Sequence, residues 1–386
     1  MNKCFKVLDY YTCLGYIALA SSNMVIPICL PDISKTLSTS LTEGGGSEAV
    51  KTLFAIIIIL LCGILSNRYG KKLFLVSGYY LIALGSLLAS NSSNYISLLI
   101  SIMIMGVGSG SAIALINPLV IDLHPNNSVK FLNITNAFYP IGIMLSAILF
   151  GELLTLGISW QSIFKIVALI TFTFGISLNI KKFPPIAGHY RISLSLIKNI
   201  FLLKKLWLYI FIIFLAACIE SVFTFWSRSF IDVYYDSLPR IGAISIVIFS
   251  SAMALGRLVA ANLYQIISIN KLMFISAILG IVVTLILPVT SNIIIFFILL
   301  FLSGISISIF WPTILSIAND DFDTDKTILT ILLTCFGVTG MGIFPLIIGL
   351  LGDTIELKLS FFLVPFCFFL ITIFLFKIRF KKVLSN

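Results

Sequence analysis

Twelve apolar runs follow one another along this chain with only short polar punctuation between them, covering residues 8–30, 50–66, 73–89, 95–120, 132–154, 160–180, 206–231, 241–264, 272–289, 293–317, 328–351 and 359–376. Most are close to the ~20 residues that carry a helix across a bilayer. Inside hydrocarbon a backbone must pair its own N–H and C=O groups, which leaves helices or closed barrels. These runs are continuous, without the alternation of a barrel strand, so they read as helices. Only 10% of the 386 residues are charged and 59% are hydrophobic, whereas a soluble domain carries about 25% charged residues. An ordinary soluble enzyme is excluded. The reading is an all-α integral membrane protein with twelve transmembrane helices in two six-helix halves, 1–180 and 206–386. The longest interior break, Lys181 to Lys205, links them.

Charge orients the bundle. Lys and Arg number about 18 on the face that holds both termini, the 181–205 linker and the Arg68–Lys72 loop, against about 6 on the other. Positive charge marks the cytoplasmic side, so both termini are expected there, with the protein multi-pass in a cell membrane, a bacterial inner membrane being the expectation. The acids Asp320, Asp321, Asp323 and Asp325 crowd one cytoplasmic loop, but acids count little in this rule. The net charge of +10 does not point to nucleic acid, because the basic residues sit in separate short loops and form no basic face. Lys3 and Lys6 precede a run long enough to span, so the N-terminus reads as a first helix and not as a cleaved signal. Seven cysteines lack any C-x-x-C spacing and read as small buried hydrophobes. His124 and His189 lack metal-ligand spacing and read as solvated loop residues. No metal and no cofactor is expected. The 33 phenylalanines read as mostly lipid-facing bulk, and the protein as a monomer in the bilayer.

Between the second and third runs stands Gly63-Ile-Leu-Ser-Asn67-Arg68-Tyr-Gly70-Lys71-Lys72. It resembles the loop between helices 2 and 3 of the major facilitator superfamily, roughly G-x-L-a-D-R-x-G-r-k, with Asn67 where that family usually has Asp. The resemblance implies that Asn67, Arg68 and Gly70 belong to a conformational latch. Gly256-Arg257, followed by Lys271, occupies the corresponding place in the second half, making Arg257 its counterpart. It also implies two parallel six-helix repeats around a central cavity, with solute bound near mid-membrane.

Four further stretches narrow the likeness: Asn117-Pro118, the string Asn133 to Gly142, Phe310-Trp311-Pro312-Thr313, and Gly337 to Asp353 with its Gly and Pro spacing. Together they look like the fucose permease and related sugar:proton symporter branch. Members of that branch use an acid in helix one and another in helix four for proton coupling. Here those positions read Met24 and Ile113, so the usual proton route and fucose itself are both in question.

Glu220 lies inside the seventh run. An acid at mid-membrane costs ~3 kcal/mol on insertion scales, so it normally faces a cavity or a partner. It reads as a proton carrier and an acceptor for a polar solute, or else as a structural partner of Arg228. Asn23, Asn117, Asn136 and Tyr139 offer amide and phenol groups of the kind a sugar hydroxyl needs in exchange for water; the alternative is hydrogen-bonded glue between helices. Asn136 and Tyr139, at i and i+3, share a face. Asn133 reads as structural. Trp226 and Trp311 are candidate platforms for a sugar ring, and Trp311-Pro312 predicts a locally broken helix. Trp160 and Trp207, at the starts of runs, read as interfacial anchors.

No G-x-x-x-x-G-K-[ST] loop is present, so direct ATP powering is not expected. No nucleophile or paired-acid constellation suggests an enzyme. The expected function is secondary transport of a small polar solute, a sugar or related metabolite, by alternating access and with a proton as the candidate coupling ion. The alternatives are an efflux carrier for amphipathic compounds and a non-transporting sensor of the same fold. Against the first, the fifth run lacks a G-P-x-x-G-G string and reads Tyr139-Pro-Ile-Gly142.

Overall fold

A computed structural model describes residues 7–125, 128–184, 201–263, 266–322 and 326–383. The described residues are almost entirely helical and include no strand. The helices are α1 (Val7–Leu37), α2 (Leu41–Tyr69), α3 (Lys71–Ala89), α4 (Tyr95–Leu123), α5 (Ser128–Thr155), α6 (Trp160–Asn179), α7 (Lys204–Tyr235), α8 (Pro239–Leu263), α9 (Ile269–Ile286), α10 (Ile293–Ile307), α11 (Phe310–Asp321), α12 (Lys326–Thr354), α13 (Leu357–Ser360) and α14 (Leu363–Val383). Among the described residues, twelve spans are long and apolar enough to cross a membrane; α10 with α11 forms one, as does α13 with α14. Large apolar side chains such as Leu53, Ile96, Leu169 and Ile294 lie exposed, which suits helices solvated by lipid.

The chain divides into two compact units. The first comprises Met1–Thr39, Val50–Arg191 and Leu238–Ile244; the second comprises Ser40–Ala49, Ile192–Ser237 and Ser245–Asn386. The first is held by the pairings of α3 with α4, α1 with α5, and α3 with α6, and the second by those of α7 with α12 and α9 with α14.

The largest departure from the sequence reading is the start of α2, which lies nine residues before the apolar run. Thr42-Glu-Gly-Gly-Gly-Ser-Glu looks like a loop, yet it is helical. Two features hold it. Ser40 and Glu43 form a reciprocal cap: the Glu43 carboxylate accepts the Ser40 N–H at 3.0 Å and the Ser40 hydroxyl accepts the Glu43 N–H at 3.2 Å. The Asp353 carboxylate takes the next two free donors, Leu41 N–H at 3.0 Å and Thr42 N–H at 2.8 Å. Acids at a helix start also oppose its positive end. Gly45 lies so close to α12 that a Cβ there would stand 2.2 Å from the Pro345 carbonyl oxygen. Glycine's cost to the helix is offset by that close packing. Lys51, at the start of the 50–66 run, is buried within α2.

The phenylalanines are also placed differently. Phe150, Phe164, Phe223, Phe230, Phe249, Phe296, Phe310 and Phe361 are essentially inaccessible. In the second unit Phe230 stacks on Phe296 at 5.2 Å and packs on Phe361 at 4.7 Å, so aromatic rings fill the interior there. Five of the six described cysteines are buried.

Candidate functional site

Helix α1 carries polar residues at Asp9, Tyr16 and Asn23, seven apart. Two turns of helix advance ~10 Å and return to nearly the same face, so the three form one stripe. Each meets a partner in the first unit. The Tyr16 hydroxyl donates to Asn117 Oδ1 of α4 at 3.0 Å, and Asn136 of α5 donates its Nδ2 to the same oxygen at 3.1 Å. Asn136 Nδ2 also reaches the Leu132 carbonyl at 2.8 Å. Asn23 Nδ2 donates to the Tyr139 hydroxyl of α5 at 3.0 Å. The Tyr16 and Tyr139 rings meet edge-on at 5.9 Å and join the two sets. Asp9 faces His124, the residue that ends α4.

Asn23, Asn117, Asn136 and Tyr139, singled out separately in the sequence, thus form one hydrogen-bonded patch. Asn136 is exposed, while Asn23, Asn117 and Tyr139 are half-buried. Tyr16 completes the patch and is missed by a search for amides, because a tyrosine in an apolar run looks like bulk. Its position seven residues before Asn23 is the signal that finds it. Met24 is buried and Ile113 is half-buried. The side chains of Asn67 and Asn133 lie outside the described residues.

In the 2–3 loop, α2 runs to Tyr69 and α3 starts at Lys71, so the whole reversal falls on Gly70. Its φ of 87° is a conformation that glycine adopts without strain. Arg68 lies over the ring of its neighbour Tyr69 at 5.3 Å. The reach onto another helix is made by Lys71, whose Nζ pairs with Asp122 and donates to the Pro118 carbonyl at 3.2 Å.

In the second unit the helix predicted to break at Trp311-Pro312 does so, between α10 and α11. Pro312 has no N–H, so the Ser308 carbonyl four residues earlier loses its helical donor. Arg257 of α8 supplies the replacement, its Nε donating to Ser308 O at 3.2 Å. Glu220 on α7 is half-buried, and Arg257 is the charge acting on it. Arg257 is itself exposed, and its contact runs to a broken helix instead of a loop. The Trp311 ring packs on α12, where a Cβ on Gly337 would stand 2.4 Å from it; Trp311 is half-buried.

Two sequence readings are corrected here. Trp226 is not an open platform: it is fully buried, and its indole N–H donates to the Pro345 carbonyl at 3.1 Å, tying α7 to α12. His124 is not solvated: its side chain is 10% exposed and it pairs with Asp9, which is 2% exposed. Arg228, inside the seventh run, is buried within α7. His189 lies outside the described residues.

The profile of the Major Facilitator Superfamily matches residues 12–327. The L-fucose-proton symporter of Escherichia coli (strain K12) is 28% identical over 148 residues, 37% of this chain and 34% of that protein; the curated relatives are matched over only about a quarter to a third of their length. Among solved structures, a bacterial homologue of the human lysosomal transporter Spinster, inward-facing and unoccupied, superimposes with a TM-score of 0.82 at 13% identity over 97% of each chain. The transporter FucP in its outward conformation gives a TM-score of 0.66 at 20% identity, over 97% of this chain and 98% of that one. Further matches span sugar, nucleoside and exporter types. With twelve spans of the same fold and a profile match over most of its length, the chain belongs to the Major Facilitator Superfamily.

Proposed function

We propose that this protein is a secondary transporter for a small polyhydroxylated solute of the sugar class, moved by alternating access and coupled to a proton carried on Glu220. The observation that carries this reading is the patch of Tyr16, Asn23, Asn117, Asn136 and Tyr139. Amides and phenols that already exchange hydrogen bonds are the groups that take over from water around a sugar's hydroxyls. The L-fucose-proton symporter and the D-xylose-proton symporter among the matches support the same solute class. Trp311, with one face on Gly337, is the aromatic surface we assign to the sugar's C–H face. Arg257, through Glu220 and the break before Pro312, is the group we assign to linking proton and helix movement. Arg68, Gly70 and Lys71 form the conformational latch, with Asn67 in the last turn of α2 beside them.

The test is uptake into proteoliposomes with a panel of labelled hexoses, deoxyhexoses, hexuronates, nucleosides and amphipathic cations, with and without an imposed pH gradient. Accumulation of a sugar only when the gradient is imposed supports the reading; transport restricted to amphipathic cations overturns it. For the solute found, Asn117→Leu is expected to weaken binding about tenfold or more, because the lost acceptor serves two donors at about 1 kcal/mol each, while Asn91→Ala, on an exposed turn, leaves affinity unchanged. Lys71→Ala is expected to slow transport about threefold or more with insertion unchanged, because a latch biases two states without touching solute. A wild-type rate would reduce the loop to a signal for topology.

We place both termini in the cytoplasm on the strength of the charge bias. Tags at either terminus and in the 185–200 stretch are expected to report that side, and a tag in the Asn91–Asn94 turn the opposite one. A C-terminal tag on the far side overturns the orientation.

A further inference from the structure

The hydrogen bonds of the first-unit patch run in a fixed direction, and one backbone group sets it. The nitrogen and oxygen of an amide are told apart by their partners. A main-chain carbonyl only accepts, so the Asn136 atom that lies 2.8 Å from the Leu132 carbonyl is Nδ2. The same Nδ2 lies 3.1 Å from the Asn117 side chain, and its second hydrogen needs an acceptor there, so that atom is Asn117 Oδ1. The Tyr16 hydroxyl, 3.0 Å from this oxygen, is then the donor. The series Leu132 O, Asn136, Asn117, Tyr16 thus has one sense only, although two of its members are identical amides. Its unused ends are opposite in kind. Among the described residues, no protein group takes the N–H bonds of Asn117 Nδ2 or the lone pairs of Asn136 Oδ1. Asn136 is exposed and Asn117 half-buried. Asn23 instead meets the Tyr139 phenol, which accepts or donates, so its amide is not fixed in this way.

We propose, building on the transport reading above, that this polarity makes the patch a subsite for two neighbouring hydroxyl groups of an uncharged solute. One hydroxyl oxygen accepts from Asn117 Nδ2, and the next hydroxyl donates to Asn136 Oδ1. A hydroxyl both donates and accepts, so a vicinal diol matches both ends. A carboxylate or phosphate only accepts: it suits Asn117 but sets an anion against the Asn136 oxygen. An ammonium only donates: it suits Asn136 but sets a cation against the Asn117 N–H bonds. Each mismatch leaves a polar group facing its own kind, and a site built to hydrogen-bond a hydroxyl strongly rejects an analogue that lacks it. Asn117 is the donor to the solute. Asn136 is an acceptor for it and also the positioning residue, since its grip on Leu132 O turns the Asn117 amide outward nitrogen first.

Two measurements on the full-length protein test this. The first needs no solute and compares thermal midpoints in lipid nanodiscs at about pH 8, well above the ordinary carboxyl range. Asn117→Asp keeps an oxygen for both donors, whereas Asn136→Asp puts an oxygen where the Leu132 carbonyl needs an N–H. Asn136→Asp is expected to lower the midpoint by about 2 °C or more beyond Asn117→Asp. Burial alone gives the opposite order, because Asn117 is the less exposed of the two. Equal midpoints, or that opposite order, overturn the fixed sense. The second is uptake of labelled D-glucose, L-fucose and D-xylose into proteoliposomes, with competition by deoxy and fluorodeoxy analogues of the sugar taken up, one carbon at a time. Fluorine accepts but cannot donate. At one carbon the fluoro form is expected to compete within about threefold of the parent while the deoxy form loses about tenfold, and at a neighbouring carbon both lose about tenfold. In Asn117→Asp the tolerance of fluorine is expected to vanish, since fluorine then faces a carboxylate. Uptake of a sugar without such a split at adjacent carbons, or with D-glucuronate preferred to D-glucose, overturns the subsite and leaves sugar transport standing. Uptake of none of the three overturns both.

Discussion

Glu220→Gln is expected to reduce gradient-driven accumulation of solute to background while leaving solute exchange within about twofold of wild type. The amide has the size of the acid and resembles its protonated form, but it cannot release a proton. Exchange needs only the return of a loaded carrier; net uphill movement needs the carrier to discharge its proton on one side and reload on the other. An ionised carboxylate at mid-membrane costs about 3 kcal/mol or more unless compensated, and Arg257 is the cation whose charge acts on Glu220. A half-buried acid under the influence of a nearby cation is suited to cycling. Both activities are measured in the same proteoliposomes, with a solute gradient for exchange and a pH gradient for accumulation. If both fall together and the thermal midpoint drops, Glu220 is a structural partner. If neither changes, the proton travels elsewhere.

The fold was legible because a bilayer removes most choices. Once a run must be a helix of fixed minimum length, counting runs gives the architecture. Trp311-Pro312 told in advance where one helix would break, because a missing N–H acts locally whatever the surroundings. The first turns of α2 were illegible for the opposite reason. Gly44, Gly45 and Gly46 oppose helix by propensity, and what reverses the outcome is the close approach of Pro345, about 300 residues away in sequence. The phenylalanines illustrate the same limit. Lipid and protein interior are equally apolar, so hydrophobicity cannot tell which rings face which, and only packing does.

The site was partly legible because polar side chains in an apolar run are costly and so stand out. That logic found Asn23, Asn117, Asn136, Tyr139 and Glu220, and the structure joins the first four. It did not find Tyr16, whose ring passes as apolar, nor the Asp9–His124 pair, whose members sit at run ends where solvent is the default expectation. It misjudged Trp226, because an aromatic's exposure depends on neighbours that sequence does not supply. The seven-residue spacing on α1 was present throughout and needed only to be set beside the same spacing between Asn117 and His124.

Arg257→Leu is expected to lower the thermal midpoint and the yield of folded protein. Two groups lose their partner at once. The Ser308 carbonyl, already without a helical donor because of Pro312, loses the Nε hydrogen bond at 3.2 Å. Glu220 loses the cation acting on it. Arg257 is exposed and Glu220 half-buried, so the loss of the charge interaction costs about 1 kcal/mol, added to about 1 kcal/mol for the hydrogen bond. Arg257→Lys keeps the charge but not the planar donor geometry, and is expected to fall between wild type and Arg257→Leu. The double variant Glu220→Gln with Arg257→Leu separates the two losses. With no acid left to compensate, it is expected to recover about 1 kcal/mol or more of the stability lost in Arg257→Leu, a coupling of the size seen for residues that interact directly. Accumulation is expected to remain absent, since no proton carrier is restored. Additive losses of stability would mean that Glu220 and Arg257 do not communicate, leaving Arg257 as a splint for the broken helix alone.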